Sequence, residues 1–149
     1  MRISGIRLAT ALGATLGLQP IGRSVGVRSC SSVHSSAGLV VEQFPCLRDN
    51  YGFLVHDMAT GMTAAVDTPE VGPILEALDK HGWTLTHILN THHHADHAGG
   101  NAELIRRTGC KVVAPASEAG KIGHVDLAVS GGDRFELGEY TEAAVLNGV

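Results

Sequence analysis

The chain has 149 residues, 44 % of them hydrophobic and 17 % charged, with a formal net charge of −4. That length suits one domain with its own core and leaves little room for a second. No apolar run approaches the roughly 18 residues of a membrane-spanning helix, and neither the net charge nor any basic stripe fits a nucleic-acid binder.

Charge is unevenly spread. Residues 1–41 carry Arg2, Arg7, Arg23 and Arg28, seven serines and no acidic residue. An Arg-rich, Ser-rich, acid-free start has the composition of an organelle transit peptide. Ile3, Ile6, Leu8, Leu12 and Leu16 fall on one helical side, although the glycines at 5, 13 and 17 weaken that helix. A secretory signal built on residues 8–18 is the rival, but no A-x-A cleavage site follows. Residues 1–36 are therefore read as a leader for the mitochondrion, with the plastid as alternative, and residues 37–149 as the folded domain. Cys30 falls in the leader. Cys46 and Cys110 have no C-x-x-C spacing and read as neutral buried thiols.

After the leader, "LVVEQFP" (39–45) and "NYGFLVHD" (50–57) alternate as strands do. "MTAAVDT" (62–68) makes a third, joined to the second by a turn at 58–61. At residues 69–82 the period changes to helical, with Ile74, Leu75 and Leu78 on one face and Gly82 as the stop. "LTHILNT" (85–91) is a β-branched apolar run and reads as a strand. A helix over 101–109, ended by Gly109, precedes a strand over 111–115. A turn at 130–133, a short strand at 134–138 and another at 142–147 complete an α/β pattern with mixed strand directions.

Between the strand and the second helix stands "NTHHHADHAGG" (90–100), with four histidines and one aspartate in six positions. Loops at the carboxyl ends of strands are where open α/β sheets place their sites. Along an extended segment side chains alternate, so His92 and His94 share a side and His93 faces away. The turn that follows can aim Asp96 and His97 beside the first pair. Imidazole nitrogen and carboxylate oxygen suit zinc, and also iron or manganese. The spacing suggests His92 and His94 on one metal and Asp96 and His97 on another, two ions roughly 3.5–4 Å apart that could clamp an oxyanion. The isolated histidines His34, His56, His81, His87 and His124, together with His93, read as ordinary surface or core residues.

"THHHADHAGGN" resembles the T-H-x-H-x-D-H signature of the metallo-β-lactamase superfamily. The "HAGGN" continuation is similar to that of the hydroxyacylglutathione hydrolase (glyoxalase II) family. "LRDNYGFLV" (47–55), "AAVDTPE" (64–70) and "NAELIRRTGCKVVAP" (101–115) resemble that family as well. The resemblance implies the N-terminal half of an αββα sandwich with a mixed sheet. The implied reaction is hydrolysis of a glutathione thioester, S-D-lactoylglutathione, to D-lactate and glutathione at a binuclear zinc site. His92 and His94 match the ligands of the first metal, Asp96 and His97 those of the second, and Asp96 would also orient the attacking hydroxide. Asp67 either caps the following helix, the favoured reading, or supports a metal ligand. The family's later ligand-bearing turn, its second β-layer and its C-terminal helical domain have no counterpart here, so the chain is read as a truncated form with little activity as it stands. An iron-dependent persulfide (sulfur) dioxygenase of the same superfamily and a non-catalytic metal-binding fragment are the alternatives.

Overall fold

A computed structural model describes residues 32–36 and 38–143. The leader helix, Cys30 and residues 144–147 of the last expected strand lie outside them. Seven strands run side by side in chain order: β1 (Ser32–Ser36), β2 (Leu39–Cys46), β3 (Asn50–Asp57), β4 (Thr63–Val66), β5 (His87–Leu89), β6 (Lys111–Pro115) and β7 (Leu127–Val129). β1 to β4 pair antiparallel and β4 to β7 parallel, which makes the sheet mixed. Helix α1 (Val71–His81) carries the chain from β4 to β5. The single turn α2 (Ala95–Ala98) and helix α3 (Asn101–Thr108) lead from β5 to β6, and the one-turn α4 (Ala119–Ile122) precedes β7. A separate hairpin follows, β8 (Arg134–Leu137) with β9 (Tyr140–Ala143). Among the described residues no helix is long and apolar enough to cross a membrane.

The strand register explains the core. Leu54, Ala65, Ile88 and Val112 are successive cross-strand partners, all on one face, and all fully buried. Ile74, Ala77 and Leu78 of α1 and Leu104 of α3 close over that row. Leu75, expected on the same face as Ile74, sits at the edge of the cluster. Gly82 and Gly109 end their helices in the left-handed conformation, at φ 66° and 70°. Their N–H groups return to carbonyls of the last turn, as at many helix ends.

The opposite face is more thinly covered. Leu39, Val55 and Ala64 pack there against Leu137 of the β8–β9 hairpin, with Phe135 beside them. The Asp57 carboxylate docks this hairpin. It accepts the Ala59 N–H and the Thr60 hydroxyl of its own turn and the Glu139 N–H at 3.0 Å. These bonds hold the Asp57 carboxyl below its ordinary pKa, the Thr60 hydroxyl first among them. Gly138, at φ 64°, lies so close that an added Cβ would fall 1.9 Å from Asp57 Oδ2.

One feature departs from the sequence reading. β1 lies inside the span assigned to the leader; "SVHSS" carries no apolar alternation, and its place comes from backbone pairing with Leu39–Gln43. Glu42, on the helix side of β2, is a buried carboxylate paired with Lys80 at 2.8 Å and with His81. His81 and His56 both stack on Trp83, and His56 Nδ1 meets Thr63 Oγ1 at 2.8 Å. These two histidines thus have structural partners. Cys46 and Cys110 are free and buried, and burial pushes the Cys46 thiol up to about 11.

Candidate metal centre

At the carboxyl edge of the sheet β4 ends at Val66 and the neighbouring β5 at Leu89. Asp67 follows β4 with φ 58°, a left-handed backbone uncommon for a residue with a side chain. Its carboxylate is met from three sides. The Thr91 N–H donates to Oδ1 at 2.8 Å, the Thr91 hydroxyl to Oδ2 at 2.7 Å, and His97 Nδ1 to Oδ2 at 2.8 Å. The favoured expectation for Asp67 is therefore corrected: Glu70 occupies the N-cap position of α1, and no side chain caps that helix. Asp67 instead ties the motif loop to the adjacent strand. A carboxylate just ahead of a helix reads locally as a cap, while its true partners stand 24 and 30 residues away.

These bonds set the proton on two imidazoles. A carboxylate only accepts, so His97 must donate from Nδ1, which leaves its Nε2 with a lone pair. The Thr91 hydroxyl spends its proton on Asp67. Toward His92 Nδ1, 2.9 Å away, it can only accept, and the His92 Nε2 lone pair is freed in the same way. A neutral imidazole with its second nitrogen hydrogen-bonded is the form in which histidine binds metal. The hydrogen bond to Asp67 raises the pKa of His97. That of His92 is lowered, first by burial and then by the neighbouring His97 imidazole.

A buried polar network lies beneath the loop. Asn101 Nδ2 donates to Asn90 Oδ1 at 2.6 Å, the Thr68 hydroxyl to Asn101 Oδ1 at 2.6 Å, and Asn90 Nδ2 to the His97 carbonyl at 3.2 Å. The Thr68 N–H reaches the same carbonyl at 2.6 Å. Each buried group here has a partner, which makes such a network rigid. Gly100 closes it: its N–H donates to the Thr68 carbonyl, and a Cβ at this position would stand 2.9 Å from that oxygen. Asn50, from the start of β3, adds a bond to the Asp96 carbonyl at 3.2 Å.

The structure brings three of the four expected ligands into one cluster. The His92 ring centroid lies 4.1 Å from that of His97 and 4.6 Å from that of His94. Asp96 stands at the rim with its side chain 56 % exposed and Oδ2 at 3.5 Å from His97 Nε2. His93 does not alternate away as expected, because the chain bends there: its ring lies 4.8 Å from that of His94 and pairs with Glu118, which also accepts the His93 N–H at 3.2 Å. That contact, first among others, holds the Glu118 carboxyl down at about 2.

Three imidazoles and a carboxylate, two of the imidazoles with Nε2 free, fit a nitrogen–oxygen metal site in donor chemistry. Among the described residues no group of three or more His, Cys, Asp or Glu converges on one point as a complete ion site. A single catalytic zinc takes three protein ligands, a set that these four donors do not present at one point. Sequence reasoning did not assign Thr68, Asn90, Thr91, Asn101 or Glu118 to the site. For Asn90, Thr91 and Asn101 the one local signal is polar residues flanking the motif where a buried strand ends; Thr68 and Glu118, distant in sequence, had none.

Residues 58–142 match the family model described as the metallo-beta-lactamase superfamily. The chain belongs to the metallo-beta-lactamase superfamily. Membership implies a metal-binding domain, and the mixed sheet with its helices corresponds to part of the fold of solved members. The chain is 57 % identical over 98 residues to a hydroxyacylglutathione hydrolase of Nitrobacter hamburgensis, a match covering 66 % of this chain and 38 % of that protein. It thus spans about two fifths of the length of the curated relatives it matches. Among solved structures, a metallo-beta-lactamase from Cronobacter sakazakii with a HARLDQ motif superposes with a TM-score of 0.60 at 20 % identity, covering 72 % of this chain and 49 % of that one. ETHE1 from Myxococcus xanthus gives 0.55 at 24 % identity, over 74 % and 45 %. At such identities these two likenesses speak for the fold alone.

Proposed function

We propose that this chain carries the first part of the metal site of a hydroxyacylglutathione hydrolase-type thioesterase, acting on S-D-lactoylglutathione with zinc. His92 and His94 serve one ion and Asp96 and His97 the other. The observation that carries the reading is the locked cluster after β5, where Asp67 and Thr91 hold His97 and His92 with their Nε2 atoms free. The hydroxyacylglutathione hydrolases at 50–57 % identity support the substrate class. When bound, zinc lowers the pKa of water and polarises a carbonyl. The residues do the rest. Asp67 keeps the His97 proton on Nδ1, Thr91 does the same for His92, and the exposed Asp96 carboxylate accepts a hydrogen bond from the attacking water and orients it toward the thioester carbon. Addition of water and expulsion of the glutathione thiol give D-lactate and glutathione.

The zinc-supplemented 149-residue chain should release thiol from S-D-lactoylglutathione, faster than its H92A/H94A variant and sensitive to chelation. The rate should be low, because the four donors give each ion two protein ligands. Equal rates in the two proteins, or oxygen uptake with a glutathione persulfide in place of thioester cleavage, would contradict the assignment. We also propose that the Arg-rich, acid-free start directs import into the mitochondrion. A fluorescent protein fused behind residues 1–41 should then localise there, and diffuse or secreted fluorescence would refute the proposal.

A further inference from the structure

The motif loop follows the middle of three parallel strands, and both neighbours reach across to it. From the β4 side Asp67 takes the Thr91 N–H. From the β6 side Glu118 takes the His93 N–H at 3.2 Å, and the same Oε2 takes the proton of His93 Nδ1. Two successive alternate N–H groups of the loop are thus held by carboxylates from opposite flanks, 24 and 25 residues away in sequence. Glu118 is itself fixed. Its N–H donates to the Pro115 carbonyl at the end of β6, its Oε1 lies 3.4 Å from Lys121 Nζ, and its side chain is only 20 % exposed.

We propose that Glu118 is a positioning residue for the metal loop, acting through His93 to fix the angle between the ligands on either side of it, His92 and His94. The chain bends at His93, and the His93 ring stands edge-on to that of His94 with centroids 4.8 Å apart. A grip on both the ring and the backbone N–H of His93 holds the intervening peptide planes, so the two imidazoles keep one relative orientation before an ion arrives. Without the grip, rotation about these bonds must be frozen when the ion binds, and affinity falls accordingly. His93 thereby has a task although it is no ligand: it transmits a restraint from β6. This inference rests on the metal-site reading above, with His92 and His94 on one ion.

The test is zinc affinity of the 149-residue chain, measured by competition with a chromophoric chelator, for wild type, H92A/H94A, E118A and E118Q. Cobalt(II) absorption spectra and melting curves of the metal-free proteins accompany it. Removing a partner that orients a metal ligand weakens binding by about 10–100-fold. E118A should show such a loss with an altered cobalt spectrum and a metal-free melting temperature close to wild type. E118Q, which keeps an oxygen acceptor without the charge, should fall in between. Wild-type affinity and spectrum in E118A overturn the positioning role. It is also overturned if E118A loses affinity only together with melting temperature while E118Q matches wild type in both. Equal affinity in wild type and H92A/H94A overturns the metal-site reading itself, a different result from loss in H92A/H94A with none in E118A.

Discussion

The helix-covered face of the sheet and the loop at its carboxyl edge are built by different forces. On the face, Leu54, Ala65, Ile88 and Val112 form a fully buried row and the helices add Ile74, Leu78 and Leu104. Burial is non-directional, so this region tolerates shape changes that conserve volume and suffers from cavities. The loop buries little apolar surface. It is held by directional bonds to Asp67, Asn90, Asn101 and Glu118, each of which sets an angle. The first region supplies stability and the second spends part of it on geometry, including a left-handed Asp67. Mutations in the two should therefore separate stability from metal affinity.

The largest effect should come from the face. Ile88→Ala removes a fully buried side chain from the centre of the row and should cost about 2–5 kcal/mol in urea unfolding, with zinc affinity of the folded fraction nearly unchanged. Gly138→Ala should follow. Its Cβ would collide with Asp57 Oδ2, and the left-handed backbone adds strain, so about 1–3 kcal/mol should be lost. A Gly138→Ala protein of wild-type stability would show that the β8–β9 hairpin is not docked on Asp57. Asp67→Asn inverts the pattern. It keeps shape and tolerates φ > 0, but it loses the charged acceptor for His97. Zinc affinity should drop by about 10–100-fold while the urea midpoint moves less than in Ile88→Ala.

The smallest effect is a pH dependence. Burial holds the His56 imidazole below its ordinary pKa, against a smaller upward pull from Asp57. Between those two values the unfolded chain binds a proton that the folded chain does not, so the His56 contribution is complete above the unfolded pKa of about 6.5 and is lost as pH falls below it. The fall in urea midpoint from pH 7.5 to 5.5 should be smaller in His56→Gln than in wild type. An equal fall in both would remove His56 from the account.

Much of this division can be read in the sequence, because period is a local property. The strands at 50–57 and 111–115 and the end of α1 at Gly82 follow from alternation and one glycine. Alternation does not carry past Leu89: the chain bends at Thr91 and His93, and the His93 ring stands against that of His94. β1, β7 and α4 are too short or too polar to show a period. The strand expected over 85–91 shrinks to His87–Leu89; Asn90 still gives its N–H to the Val113 carbonyl of β6 at 2.9 Å, while its side chain turns to His97 and Asn101. Asp67 was legible only as the less favoured alternative and Glu118 not at all, for one reason: their partners lie 24 to 30 residues away, and a lone carboxylate before a helix looks the same whether it caps that helix or grips a loop.

The central claim is that the loop after β5 is a metal site made by His92, His94, Asp96 and His97. Isothermal titration of the 149-residue chain with zinc, beside H92A/H94A, tests it most directly. A saturable binding event that disappears in the variant is the predicted result. The same isotherm from both proteins would contradict the claim.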